Sequence, residues 1–235
     1  MVIALIVAGG PVNSTRMGCS GNKCFLELGE KPIISHTVSS FYAHPAIHRI
    51  IVSLAKEEHG RLHALLESDG LPPVELCDAA STRMQSIDKV LGEGRFAPQD
   101  LFLIHDGARP FVTLAMIDDL LEAINDATTD AAVLGIVPKD TIHLVDDGCI
   151  DRPLDRSRLV AIHTPVAASY EILCRARRRA KAEDYLDAPG YEDSAVIRAG
   201  GMRVKVVPSS YDNIKITTPE DILLAETLVR KKSLV

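Results

Sequence analysis

Four consecutive apolar residues, Leu101-Phe102-Leu103-Ile104, run straight into His105-Asp106-Gly107-Ala108-Arg109-Pro110. An uninterrupted apolar run of this kind fits a central parallel strand covered on both faces, since a strand with one wet face would alternate polar and apolar residues. Open α/β sheets bind their ligands just beyond the carboxyl ends of such strands. Asp106 and Arg109, placed at that edge, mark either a polar site or a plain strand-to-helix junction with a turn acid and a surface charge.

The rest of the chain repeats the theme. Strand-like runs at residues 2–8, 48–54, 73–77, 101–105, 131–137 and 202–207 alternate with helical patterns at 33–43, 57–68, 82–92, 114–126, 167–182 and 219–231. That alternation predicts an α/β fold with a doubly wound, mostly parallel sheet. The last helix is the best marked, with Thr218 to cap, Pro219 at the first helical position and Asp221 three residues beyond the cap. Residues 140–163 break the pattern, and Asp147-Gly148 between alternating runs predicts a hairpin there. One domain over residues 1–235, with 140–163 as a β-arm, accounts for the pattern without a linker or an internal repeat.

Charge and composition remove several classes of function. A formal net charge of −6 argues against a protein that coats nucleic acid, so a phosphate site must be a local basic cluster on an acidic body. No apolar run reaches membrane-spanning length, and Met1 to Ala8 has no basic flank before its glycines, so it reads as a first strand and not as a signal peptide or membrane span, which predicts no membrane partner. Cys19, Cys24, Cys77, Cys149 and Cys174 are odd in number, form no Cys-x-x-Cys pair and read as reduced thiols in a cytoplasmic protein. The histidines show no metal-ligand spacing, and His105 reads as a strand-end core or supporting residue.

A second site element follows the first strand: Ala8-Gly9-Gly10, then Pro11 to Thr15, Arg16-Met17-Gly18 and, further on, Lys23. Glycines after a strand let backbone N–H groups approach an anion, and Arg16 and Lys23 add charge to the same loop. Phosphate is the natural ligand, with an ordinary flexible turn as the alternative. The segment is neither a Walker loop nor a dinucleotide-binding fingerprint, which disfavours a dehydrogenase.

Taken together, Ala8-Gly9-Gly10, Arg16-Met17-Gly18, Lys23, Gly29-Glu30-Lys31-Pro32-Ile33-Ile34-Ser35-His36-Thr37, Arg83 with Ser86, His105 to Pro110, Pro138-Lys139-Asp140-Thr141, Thr164-Pro165 and Asn213-Ile214-Lys215-Ile216-Thr217 resemble the 2-C-methyl-D-erythritol 4-phosphate cytidylyltransferases. Ribitol-5-phosphate cytidylyltransferases share almost all of these motifs. The resemblance spans nearly the whole chain, with the motifs in family order.

It implies a nucleotide-diphospho-sugar transferase-like fold and an enzyme that uses Mg²⁺ to transfer CMP from CTP to a sugar-alcohol phosphate, in isoprenoid precursor synthesis or, for ribitol 5-phosphate, in making CDP-ribitol. By the same resemblance Arg16, Lys23 and Lys215 are the catalytic cations. Ala8, Gly9, Gly10, Arg16, Lys23, Ala80, Arg83, Ser86 and Asp106 would bind CTP. Asp106, Arg109, Thr141, Arg156, Thr164 and Lys215 would surround the acceptor, with Asp106 also able to meet a Mg²⁺-bound water. The 140–163 arm would embrace a second subunit of a homodimer and deliver Thr141 and Arg156 to its site. Bland readings stand beside these: Ser86 as a plain helix serine, Lys215 as a surface lysine, the arm as a surface hairpin on a monomer.

The chain also departs from the family pattern. Five residues, Pro11 to Thr15, separate Gly10 from Arg16 where the family usually has three including a glycine; Asn22 stands where a proline normally precedes the lysine; Ala79-Ala80 replace a glycine pair; Val166 replaces a glutamine; and the acidic patch before the penultimate helix is reduced to Glu192-Asp193. A catalytically silent nucleotide-binding module is the alternative of another class. Retention of Arg16, Lys23, Arg109, Arg156 and Lys215 argues against it, because clustered like charges are costly to keep without use.

Overall fold

The computed structural model describes residues 1–9, 17, 21–186, 188 and 190–232. Its centre is a seven-stranded sheet of β1 (Val2–Val7), β4 (Arg49–Leu54), β5 (Glu75–Asp78), β6 (Leu101–Asp106), β7 (Ala131–Ile136), β10 (Ala161–Ser169) and β11 (Val204–Pro208). The spatial order is β11-β7-β10-β6-β1-β4-β5. Six strands run parallel, while β10 is antiparallel to both its neighbours, β6 and β7. Two short strands, β2 (Glu27–Leu28) and β3 (Lys31–Pro32), make a small separate ladder, and β8 (His143–Asp146) pairs with β9 (Cys149–Pro153).

Helices cover both faces. On one, α1 (Ile33–Tyr42), α2 (His59–Ser68) and α4 (Leu114–Ile124) lay Ile34, Val38, Phe41, Leu62, Leu66, Ile117 and Leu120 against Ala4, Ile6, Val52 and Leu103. On the other, α3 (Arg83–Leu91), α5 (Tyr170–Ala182) and α6 (Asp193–Ala199) lay Ile87, Val90, Leu173, Ala176, Val196 and Ile197 against Ile3, Leu5, Phe102 and Ile104. Successive residues of β1 and β6 thus feed opposite cores, as the period of two demands, which is why both strands are apolar throughout. The final helix, α7 (Pro219–Lys232), packs Ala225 into a third cluster with Leu28, Ile33, Phe111 and Ile216. Its start is fastened as the capping pattern predicts: the Asp221 carboxylate accepts the Thr217 and Thr218 backbone N–H groups, each at 2.8 Å.

The order of strands fixes where a ligand can sit. From β1 the chain winds outward through β4 and β5, then crosses back to β6 on the other side of β1, so the winding reverses between β1 and β6. That reversal is the topological switch point, and Gly9 and Asp106–Gly107 lie at its carboxyl edge.

All the predicted strands and helices form, with ends moved by one to three residues. The main correction concerns residues 161–169, where the sequence pattern predicts the arm through 163 and a helix from 167; they form one strand, β10. Pro165 and three alanines hide it, because proline lacks a ladder donor and alanine reads as a helix former. The strand tolerates Pro165 because its register against β7 shifts between Ile162 and Val166. The arm itself is the β8–β9 hairpin, turning through Asp147 and Gly148 at φ 44° and 75°, the conformation that an Asp-Gly hairpin turn requires. Every residue of β8 and β9 is exposed, including Leu144, Val145 and Ile150. Cys24, Cys77, Cys149 and Cys174 are free thiols, and Cys19 lies outside the described residues.

Candidate active site

Asp106 ends β6 and is the hub of the site. One carboxylate oxygen accepts Arg83 Nε at 2.8 Å; the other lies 2.8 Å from Lys215 Nζ and 3.6 Å from Arg109 Nε. Burial alone would raise the Asp106 carboxyl, but the charges of Arg83 and Lys215 and their hydrogen bonds overcome it and hold the group far below the usual carboxylate range. Asp106 is therefore a fixed anion at neutral pH. Lys215 keeps 40% of its side chain exposed, so the pair presents an ammonium at the mouth of the crevice with its counter-charge behind it.

The backbone around Asp106 is held by a second network. The Asp106 N–H donates to Thr164 Oγ1 at 3.1 Å, Thr164 Oγ1 lies 3.1 Å from His105 Nδ1, and His105 Nε2 lies 3.0 Å from the Arg109 carbonyl. A carbonyl only accepts, so Nε2 carries the ring proton and Nδ1 accepts the Thr164 hydroxyl proton. Burial pushes His105 down to about 4, which keeps that neutral tautomer at pH 7. Asn213 completes the frame: its side-chain amide donates to the Thr164 carbonyl at 3.1 Å, and its backbone carbonyl accepts Arg109 Nη1 at 2.8 Å.

Two further loops converge here. At Gly9 a Cβ would stand 2.2 Å from Ala79 Cβ, so the loops after β1 and β5 touch only because residue 9 is glycine. Ser86 is 1% exposed; its hydroxyl accepts the Ala80 N–H at 2.9 Å and donates to the Thr82 carbonyl at 2.8 Å, which ties the 79–83 loop to α3. Lys23 opens a single helical turn, Lys23–Phe25, whose Cys24 sulfur is buried. Burial pushes that thiol up to about 12, and it feels the charges of Lys23, Asp106, Glu58 and Lys215, so all four lie within electrostatic reach of one atom.

Of the residues singled out in the sequence, Ala8, Gly9, Lys23, Ala80, Arg83, Ser86, Asp106, Arg109, Thr164 and Lys215 come together at the switch point. Gly10, Arg16 and the Pro11–Thr15 insertion lie outside the described residues. Thr141 and Arg156 are elsewhere, at the base of the arm: both are exposed, and Arg156 donates to the Lys139 carbonyl at 2.6 Å, with no described bond to the Asp106 cluster.

Sequence reasoning missed the support behind Arg83. Asp193, 1% exposed at the start of α6, accepts Arg83 Nη1 and Arg177 Nη2, each at 2.6 Å, and Arg177 Nη1 continues to Asp88 at 2.7 Å. Burial would raise the Asp193 carboxyl, and the two arginines lower it below its ordinary value. The only signal was Glu192-Asp193 ahead of a short amphipathic stretch, and nothing local says that it faces Arg83, 110 residues earlier.

Comparison with known proteins gives the same reading over the whole chain. The family model for 2-C-methyl-D-erythritol 4-phosphate cytidylyltransferase matches residues 2–231. The Bacillus cereus protein of that name is 35% identical over 235 residues, covering 99% of this chain and all of its own. The Syntrophotalea carbinolica protein of the same name is 36% identical, covering 97% and 96%. Among solved structures, the 4-diphosphocytidyl-2C-methyl-D-erythritol synthase of Anaerococcus prevotii superposes with a TM-score of 0.78 at 26% identity, covering 97% of this chain and 98% of that one. The Francisella tularensis protein shares the fold with a TM-score of 0.79 at 23% identity. The chain belongs to the 2-C-methyl-D-erythritol 4-phosphate cytidylyltransferase family, a family of nucleotidyltransferases.

Proposed function

We infer that the chain transfers CMP from CTP to 2-C-methyl-D-erythritol 4-phosphate, releasing pyrophosphate, a step of isoprenoid precursor synthesis. The observation that carries this reading is the convergence of Lys215, Arg83 and Arg109 on Asp106 at the switch point of the sheet. An acceptor phosphate oxygen attacks the α-phosphorus of CTP, and the bond to the β-phosphate oxygen breaks. The acceptor phosphate has a second pKa of about 6 and is mostly dianionic at neutral pH, so no general base is required. The obstacle is repulsion between anions, and preorganised cations remove it.

In this reading Lys23 and Arg16 grip the triphosphate, and Lys23 with Lys215 neutralises the crowded α-phosphate in the transition state. Asp106 holds Lys215 in place and, with Arg109 and Thr164, borders the acceptor. Thr164 has its hydroxyl proton directed to His105, so its service is to the Asp106 backbone, leaving Asp106 to meet acceptor hydroxyls. The loop around Ala80, fixed by Ser86, offers backbone groups to the cytosine edge.

The donor set fits Mg²⁺ as an ion carried on the nucleotide. Among the described residues no three His, Cys, Asp or Glu side chains form a metal-binding group, and the Asp106 carboxylate already pairs with Arg83 and Lys215. Phosphate oxygens and water would supply most ligands, and Asp106 would help hold the ion through a bound water. The bound ion would offset triphosphate charge.

Exposed Leu144, Val145 and Ile150 support a homodimer through the arm, with Thr141 and Arg156 serving the neighbouring site. The test of the activity is pyrophosphate release from each of the four nucleoside triphosphates against 2-C-methyl-D-erythritol 4-phosphate and ribitol 5-phosphate. Mg²⁺-dependent release with CTP and the methylerythritol acceptor is expected. Robust turnover with ATP or GTP and none with CTP would overturn the reading; no release with any pair would favour a silent binding module.

A further inference from the structure

We propose that Asn22 is a positioning residue that sets the place of Lys23 by tying the start of its turn to the ends of two sheet strands. Asn22 is 4% exposed, and its side chain bridges three segments. Its amide nitrogen donates to the Ala8 carbonyl, just past β1, at 2.7 Å and to Glu58 Oε2 at 2.8 Å; its amide oxygen accepts the Cys24 N–H at 3.0 Å. Glu58 belongs to the turn Lys56–Glu58 that follows β4, and Ala8 is itself fastened to β4 through its N–H to the Ser53 carbonyl at 2.8 Å.

The chemistry of the three partners selects the residue. They present two acceptors and one donor, and a primary amide supplies two donors and an acceptor from one planar group. Aspartate in its place would set an anionic oxygen, with no N–H to donate, against the Glu58 carboxylate and the Ala8 carbonyl. Asn22 adopts φ −78°, within the range that proline itself holds. Proline in its place would stiffen that turn locally but has no side-chain donor. Asn22 holds the turn by hydrogen bonds to the sheet, so Lys23 is referenced to β1 and β4 and not only to its neighbours in sequence.

The proposal rests on the reading of Lys23 as a cation that grips CTP, and it is tested by two readouts on the full chain. One is steady-state kinetics with CTP and 2-C-methyl-D-erythritol 4-phosphate. The other is the rate at which an amine-reactive acylating reagent labels Lys23, followed by peptide mass spectrometry, which needs no activity. Asn22→Asp should lower kcat roughly 10- to 100-fold with little change in acceptor KM, as expected for a displaced catalytic cation. It should also speed Lys23 labelling at least about threefold as the turn opens locally. Asn22→Asp combined with Glu58→Gln exchanges amide and carboxylate, rebuilds the contact with residue 58 in reverse while the Ala8 carbonyl still lacks its donor, and should recover part of both effects. Asn22→Ala, which adds no charge, provides the same contrast if the aspartate variant does not fold. Parent-like labelling and kcat in Asn22→Ala, or no recovery in the double variant when Asn22→Asp is folded and impaired, would overturn the proposal. A labelling contrast that appears and is rescued, in a parent protein that releases no pyrophosphate from CTP, would leave the clamp standing and reject the cytidylyltransferase reading instead.

Discussion

Lys215 Nζ and Asp106 Oδ2 stand 2.8 Å apart across 109 residues of chain, the lysine 40% exposed and the aspartate 8%. The buried partner is the carboxylate and the solvent-facing one the ammonium, so the pair costs less desolvation than a fully buried bridge and leaves the cation facing solvent, as the proposed contact with an incoming phosphate requires. Changing Lys215 or Lys23 to alanine should lower kcat by roughly 10² or more in a folded protein, because one preorganised charge typically supplies about 3 kcal/mol of transition-state stabilisation. Single-turnover kinetics with saturating CTP, alongside circular dichroism, reads this directly. Near-parent turnover in both variants would remove these lysines from the mechanism.

Gly9 and Ala79 should behave as a coupled pair. Gly9→Ala places a methyl 2.2 Å from Ala79 Cβ and forces two strand-end loops apart, at a cost of about 1–3 kcal/mol in stability and a weaker hold on CTP. Ala79→Gly removes the opposing methyl, so the double variant should regain much of the loss. A double-mutant cycle by denaturant unfolding measures the coupling; strictly additive effects would show that the loops do not meet there.

Buried His105 predicts a pH dependence with a definite sign. Its pKa is depressed from 6.5 to about 4 by desolvation, so below pH 6.5 the unfolded chain takes up a proton that the folded chain refuses. Stability is therefore full above about pH 7 and falls as the pH drops from 6.5 toward 4. Between pH 7.5 and pH 5 this group should remove about 2 kcal/mol. Urea unfolding of the parent and of His105→Gln at both pH values tests it, the variant showing the shallower dependence.

Asp193 should matter for stability more than its place outside the crevice suggests. Asp193→Asn leaves Arg83 and Arg177 facing a neutral amide in a buried setting, and breaking a buried pair of this type costs roughly 3–5 kcal/mol. Guanidinium unfolding should show the loss. A change below about 0.5 kcal/mol would mean that the two arginines find other partners.

Subunit mixing tests the arm. If Arg156 serves the neighbouring site, a heterodimer of Arg156→Ala with Lys23→Ala collects both lesions in one site and leaves the other whole, recovering up to about half of parent activity per heterodimer. A fully active monomer by light scattering, or no recovery once exchange is confirmed, would confine each site to one chain.

What the sequence reveals and what it hides divide along a physical line. Leu101 to Asp106 announces a buried strand and its polar exit because both signals are local, and the same holds for Thr218 with Asp221 and for the Asp147-Gly148 turn. β10 is hidden because its fitness for the sheet depends on neighbours that tolerate Pro165 at a register shift. Arg83 was legible as a site residue, but its partner Asp193 was not, since a carboxylate in sequence carries no record of which guanidinium it will meet. Asn22 was visible as a substitution and became intelligible only beside Ala8 and Glu58.

The antiparallel strand β10 begins where the arm's return ends and passes Thr164 on its way into the centre of the sheet. The arm and the proposed acceptor border are thus successive stations on one length of chain, with only the short turn Arg156–Arg158 and two residues between Leu154–Asp155 and the strand that carries Thr164. A hand laid on the hairpin holds the handle of a tool whose working tip touches the Asp106 backbone.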